Sequence, residues 1–172
     1  NEGIFGNIEK WVAKSTIDFA TYWQVVKDKN YLTDEVKAEI LSTFGQFKSH
    51  SWDDVGRLTH GDFSPSNIQI YDGKIVGIFD FEYSFIADPL WDLQKLPLSF
   101  QLGPSFSKEE FLRGYDVTDF TDEEKIRLRM HCFHQGVWEI WATLTKFMPF
   151  GDKEIEEGKE LINNTVGYSI LH

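Results

Sequence analysis

The chain has 172 residues, 41% of them hydrophobic and 16% aromatic, which suits one domain with a buried core and excludes a disordered chain. Acidic residues outnumber basic ones 28 to 17, and the net charge of -11 opposes polyanionic partners. Lys and Arg are scattered rather than clustered, so no nucleic acid partner is expected.

The single cysteine, Cys132, excludes an internal disulfide and suits a reducing compartment, so the cytoplasm is the expected location. No apolar run approaches the ~20 residues that span a bilayer, and the first residues lack the order of a signal peptide. No membrane association is expected. The start at Asn1 rather than Met hints at a piece of something longer.

From Gly3 to about Lys29 the residues Ile4, Ile8, Trp11, Val12, Phe19, Trp23 and Val26 recur mostly at helical intervals, with a break near Ser15 and Thr16. One long helix or two short ones are expected there. Thr33 reads as an N-cap, followed by Asp34 and Glu35 where the helix dipole favours negative charge, with the helix ending near Gly45. After Leu58, which approaches a loop, Ile68, Ile70 and the run Ile75 to Phe79 predict two strands. Asp72-Gly73 is a strong signal for a tight turn between them.

Beyond Pro89 the pattern returns to helices, first over Asp92 to Leu98. Ser107-Lys-Glu-Glu110 and Thr121-Asp-Glu-Glu124 both have the spacing of a capping box. The second opens a long helix through Ile126, Met130, Phe133, Val137, Ile140 and Leu144, expected to end around Pro149 to Gly151. A last helix is expected from Lys153 to Asn163. No repeat and no linker interrupts the chain, so residues 1–172 are read as one mostly helical domain with a β-hairpin embedded in it.

Chemistry concentrates just before and just after that hairpin. His60-Gly-Asp-Phe-Ser-Pro-Ser-Asn67 has the form H-G-D-x-x-x-x-N, the second strand runs into Asp80-Phe-Glu82, and Asp88-Pro-Leu-Trp-Asp92-Leu93 follows. Because one strand leaves the loop and its partner ends at Asp80, a two-residue turn brings Asn67 and Asp80 to the same end of the hairpin. Taken singly, Asp62 or Asn67 reads as a turn residue that bonds its own backbone. Asp88 alone reads as an N-cap for the helix beginning at Pro89, and Glu82 as a solvated residue.

Together the three motifs resemble the aminoglycoside phosphotransferase and choline kinase superfamily, small-molecule kinases that differ from protein kinases by Gly in place of Arg in the loop and Glu or Asp in place of Gly in the triplet. The resemblance implies an α+β, mostly helical fold, the C-terminal lobe of a protein-kinase-like fold, with the hairpin carrying the catalytic loop and a metal-binding Asp. It implies transfer of a phosphoryl group from ATP, with Mg2+, to a hydroxyl of a small molecule of the aminoglycoside, amino-alcohol or sugar type. Such a reaction leaves little covalent work for the protein beyond placing the hydroxyl and neutralising charge, tasks that suit short oxygen-bearing side chains.

In the roles the resemblance implies, Asp62 orients the hydroxyl and accepts its proton, and Asn67 and Asp80 hold Mg2+ and, through it, the nucleotide phosphates. His60 supports the loop as a structural histidine, and Asp88 and Asp92 brace it. Glu82 is a candidate for contacting substrate or metal-bound water. Trp138 and Glu139, an aromatic and an acid on the long helix, are candidates for an amine-bearing acceptor, although aromatics at helical spacing are more often core. The spacing of His131 and His134 permits shared metal ligation, but no second ligand pair accompanies it.

Ser64 stands where protein kinases carry a Lys. No glycine-rich loop and no strand Lys precede the motifs, so the N-terminal ATP-binding lobe is absent from this chain and is expected to be supplied in cis or in trans. The chain alone is expected to be inactive. The alternative is a kinase-like binding or scaffold module without turnover.

Overall fold

The computed structural model describes residues 7–52, 56–95, 107–116 and 118–167. Helix α1 spans Ile8–Val26 and α2 spans Asp34–Lys48; short strands follow at β1, Arg57–Thr59, β2, Ile68–Tyr71, β3, Lys74–Ile78, and β4, Phe85–Ala87. Helices α3, Lys108–Gly114, α4, Asp122–Leu144, and α5, Asp152–Gly167, complete the order. Among the described residues the 3-10 turns Pro65–Asn67, Phe81–Tyr83 and Pro89–Leu93 punctuate the strand region.

Each long helix starts where its side chains supply a cap. Asn7 accepts from the Lys10 N–H and opens α1, and Thr33 accepts from the Val36 N–H and opens α2. Thr121 and Glu124 form the reciprocal capping box of α4, satisfying two backbone donors that would otherwise be orphaned. At Ser107 only the forward half of the expected box is present, a bond from the Glu110 N–H to Ser107 Oγ at 3.2 Å. The break expected at Ser15 is not there. Helix α1 runs through it, with Ser15 buried on the side that faces the core.

Helix α4 lies at the centre and packs against α1, α2 and α5. Phe133, Val137 and Ile140 on α4 are fully buried and share one cluster with Phe19 and Val26 of α1, Ile40 and Phe47 of α2, and Ile162 of α5. Each such side chain contributes about 1.5–3 kcal/mol on leaving water. Where α4 meets α5 the backbones themselves touch. A Cβ on Gly136 would fall 2.8 Å from the Gly158 carbonyl oxygen, and one on Gly158 2.7 Å from that of Gly136.

The chain reverses after α4 earlier than the apolar pattern predicts. Lys146 takes a left-handed conformation, φ 55, and the Phe147 N–H bonds back to the Ala142 carbonyl at 2.9 Å, the six-to-one closure of a helix end usually made with Gly.

The described strands form two antiparallel pairs. The expected hairpin pairs β2 with β3, Ile68 opposite Ile78 and Tyr71 opposite Lys74, with an irregularity between Gln69 and Ile70. Asp72 and Gly73 both have positive φ, 50 and 70, as a tight primed hairpin turn requires. The second pair, β1 with β4, was not expected; Leu58 sits opposite Ile86 in a strand rather than approaching a loop. The helix expected from Asp92 to Leu98 is instead a 3-10 turn through Leu93, and its expected end lies outside the described residues. No described helix is long and apolar enough to cross a membrane.

Candidate active site at the hairpin base

The β1–β4 pair sets the ends of a loop that starts at His60. Thr59 pairs with Phe85 and its hydroxyl donates to the Phe85 carbonyl at 3.0 Å, so residues 60–67 leave the ladder at a fixed point. Gly61 follows with φ 85, where a Cβ would lie 2.2 Å from the Tyr83 carbonyl oxygen. No side chain fits there, which accounts physically for the Gly of His60-Gly61-Asp62.

Two acceptors then hold the loop. One carboxylate, Asp92, takes the His60 N–H on Oδ2 at 2.8 Å and the Gly61 N–H on Oδ1 at 2.9 Å. The buried His60 ring spans the loop and the hairpin: Nδ1 accepts from the Asp62 N–H at 3.3 Å, which places the ring proton on Nε2, donating to the Phe79 carbonyl at 2.7 Å. Phe81 covers the ring, with centroids 4.5 Å apart.

Asp62 itself is exposed at the surface. The Asn67 side-chain NH2 donates to the Asp62 carbonyl at 2.9 Å and to its Oδ2 at 3.4 Å, which leaves Asn67 Oδ1, as distinct from the main-chain carbonyl, as the atom able to meet a cation. The Phe79 N–H bonds to the Asn67 carbonyl at 2.9 Å, so Asp80 follows directly on a residue tied to both Asn67 and His60. Asp80 is exposed, left-handed at φ 66 and ψ 54, and its side chain makes no capping bond to the turn it precedes. This left-handed conformation is one that Asp adopts more readily than most L-residues, and it is shared by Asp72 and Asp116.

This oxygen set, one amide and one carboxylate beside an exposed Asp62, fits a magnesium ion, which takes one or two protein carboxylates and completes its shell with phosphate and water. Among the described residues no three His, Cys, Asp or Glu side chains group as a metal site.

The other expected site residues are placed more variously. Glu82 is exposed within the turn Phe81–Tyr83, next to Asp80 in sequence. Ser64 Oγ bonds Ser66 Oγ at 2.7 Å and caps no helix. Asp88 makes its hydrogen bonds to residues outside the loop. It is completely buried and accepts from Arg127 at 3.0 Å, His131 at 2.9 Å and the Leu90 N–H at 3.1 Å, so it caps the turn Pro89–Leu93 and pins that turn to α4. Burial would raise its carboxyl, but the His131 bond and charge, Arg127 and the Leu90 N–H together hold it below the ordinary range. The bracing expected of two aspartates is thus made directly by Asp92 and only at one remove by Asp88.

Trp138 and Glu139 are not brought to this edge by any bond or ring contact among the described residues. Trp138 meets Phe150, and Glu139 is buried, accepting from Gln135 at 2.9 Å with Lys95 at 3.6 Å. Burial pushes the Glu139 carboxyl up. His134 packs against Phe19, Tyr22 and Trp91, where burial drives its pKa down to about 3. Arg127 and His131 as partners of Asp88 were missed as members of this network. They lie 39 and 43 residues from Asp88, and no local pattern signals such a pairing.

Comparison with known proteins follows the same lines. The sequence model of the phosphotransferase enzyme family, APH, matches residues 22–129, more than half of the chain. Solved structures of similar fold include the GDP complex of wild-type aminoglycoside 2'-phosphotransferase-IIIa, with 18% identity and a TM-score of 0.65 over 91% of this chain and 52% of that one. Choline kinase LicA from Streptococcus pneumoniae superposes with 21% identity and a TM-score of 0.57 over 90% of this chain and 55% of that one. A choline/ethanolamine kinase family protein from Mesorhizobium loti gives 18%, 0.58, 89% and 57% in the same order. The chain therefore spans about half the length of the structures it matches. No curated protein matches the sequence. With the fold of these kinases and the family's sequence pattern across its middle, the chain belongs to the phosphotransferase enzyme family, as a kinase-like C-terminal lobe.

Proposed function

We propose that this chain is the catalytic lobe of a kinase that transfers a phosphoryl group from ATP to a hydroxyl of a small molecule of the aminoglycoside, amino-alcohol or sugar type. The observation that carries the reading is the meeting of Asp62, Asn67 and the residue before Asp80 through direct hydrogen bonds at one edge of the hairpin. The family supports phosphotransfer, the names of the similar structures support nucleotide and amine-bearing acceptors, and the single short loop supports one reaction centre.

In this reading Asp62 receives the acceptor hydroxyl at its exposed carboxylate and takes its proton as the bond to phosphorus forms. His60 and Asp92 keep the Asp62 backbone from swinging, which matters because a misplacement of about 1 Å costs on the order of a hundredfold in rate. Asn67 and Asp80 present oxygens for magnesium, which when bound supplies charge neutralisation to the phosphates. Glu82 stands beside them for a water or an acceptor group.

A nucleotide-binding lobe in cis or in trans completes the site. Ile70, Ile75, Val76, Ile78 and Phe79 on the hairpin are exposed, the apolar surface that a second lobe and a nucleotide base would cover. The cytoplasm, where ATP is plentiful, is the matching location.

The test is ADP formation from ATP across a panel of aminoglycosides, amino-alcohols and sugars, using the chain alone and joined to a nucleotide-binding lobe. Turnover is expected only from the joined protein, and Asp62→Ala should lower it about 10²–10⁴-fold. Turnover undiminished by the substitution would overturn the role of Asp62 as base, and none with any acceptor would favour a binding module.

A further inference from the structure

The catalytic loop is tied to the helical bundle by a chain of contacts that the hairpin does not share. Helix α4 reaches Asp88 twice, through Arg127 Nη1 at 3.0 Å on one carboxylate oxygen and His131 Nε2 at 2.9 Å on the other. The first of these oxygens also accepts the Leu90 N–H, so the five-residue turn Pro89–Leu93 starts from an immobile point. Four residues later, on the same turn, Asp92 takes the His60 and Gly61 amides. The Asp62 N–H then rests on His60 Nδ1.

Asp88 and His131 are almost wholly removed from water and Arg127 nearly so. Trp11, Phe47 and Trp91 pack their rings around His131 at 5.4–5.7 Å. Removing a donor from a buried, hydrogen-bonded charge is strongly destabilising, so Asp88 is held to this one arrangement of its three partners.

We infer that Arg127 and His131 are positioning residues for the reaction, holding the His60–Asp62 loop in its transfer geometry through Asp88 and Asp92. Among the described residues their bonds go to Asp88, so their effect reaches the loop through the turn. Since α4 also packs against α1, α2 and α5, any rearrangement of the bundle around an acceptor is passed to Asp62 by this route. The structural part of the inference stands on the hydrogen bonds alone; its catalytic part rests on the phosphotransfer reading above.

The experiment is amide hydrogen exchange by NMR on the full chain, comparing wild type with Arg127→Met, His131→Phe and the double variant. Phe keeps the ring packing of residue 131 and Met keeps the stem of residue 127, while both remove donors to Asp88. Exchange at His60 and Gly61 should rise about tenfold in the double variant, the loss expected for charged hydrogen bonds. Exchange at Phe19 and Ile162, in the core of α1 and α5, should rise by less than at the loop amides.

Unchanged His60 and Gly61 amides would overturn the inference. So would an equal rise at Phe19 and Ile162, because the pair would then act only on overall stability. Should the double variant not fold, His131→Phe alone is read by the same two criteria, with His131→Gln expected to restore protection by returning a donor.

In the form joined to a nucleotide-binding lobe, the same variants should lower kcat about tenfold with the acceptor KM unchanged. A loosened loop without phosphotransfer by any form, wild type included, would leave the structural tie intact and remove the proposed function. An unloosened loop removes the inference whatever the activity.

Discussion

In the helical bundle the large core side chains of α1, α2, α4 and α5, Phe19, Phe47, Phe133 and Ile162 among them, lie out of water, whereas the β2–β3 ribbon holds Ile70, Ile75 and Val76 more than half exposed. Both regions are rich in apolar residues, yet only the first uses them for its own stability. An isolated two-stranded ribbon is marginal in water. Here its shape comes instead from a primed turn, from the Phe79–Asn67 bond and from the His60 ring. On the proposed reading stability and chemistry are thus housed apart, the bundle carrying a site whose Asp62 and Asp80 are exposed.

The largest test of that separation is Asp62→Ala in a protein that carries both lobes. Loss of a general base should cost about 10²–10⁴ in kcat, while thermal unfolding of the chain stays unchanged because Asp62 is exposed. On the bundle side, Phe133→Ala should cost about 3–5 kcal/mol in urea unfolding, through a cavity at a fully buried position. Gly61→Ala lies between the two regions. Its Cβ overlaps the Tyr83 carbonyl at a positive φ, so about 1–3 kcal/mol should be lost together with the protection of the loop amides.

Acid unfolding sharpens the contrast further. His134 is neutral in the folded core, pushed down to about 3, while in the unfolded chain it protonates near pH 6.5. The unfolded state therefore binds the extra proton between those values. Stability from this group is fully present above pH 6.5 and falls as the pH drops towards 3, by at most about 1.4 kcal/mol per pH unit. His134→Phe should flatten that slope in unfolding curves measured between pH 4 and 7.

At the small end, Asp80→Gly should leave the fold as stable or up to about 1 kcal/mol more stable, since Gly accepts φ 66 freely, while ending phosphotransfer. Ile75→Thr should shift stability by less than about 0.5 kcal/mol. A loss of several kcal/mol there would mean that the ribbon belongs to the core after all.

The sequence was most informative where structure is local. Asp72-Gly73 specified the turn, Thr33 and Thr121 specified helix starts, and the spacing from Asp62 to Asn67 and Asp80 placed the edge of the ribbon. It was silent where partners are distant. Strands β1 and β4 have three residues each, too few for any period, and pair across a 26-residue gap between Thr59 and Phe85. The end of α4 was hidden because Lys146 adopts a left-handed conformation that sequence assigns to Gly or Asn. Asp88 illustrates both cases: as a cap on Leu90 it could be read from its neighbours, but its buried bonds to Arg127 and His131 depend on the packing of α4.

The paired glycines at the α4–α5 crossing have one more consequence. With Gly136 and Gly158 each seated against the other's main chain, the two rods mesh like a tooth in a notch, and sliding one along the other by a single residue would drive a side chain into that gap. Whatever motion this lobe makes while it works, α5 must ride with α4 as one body. Hinges are then to be sought in the connections outside that pair.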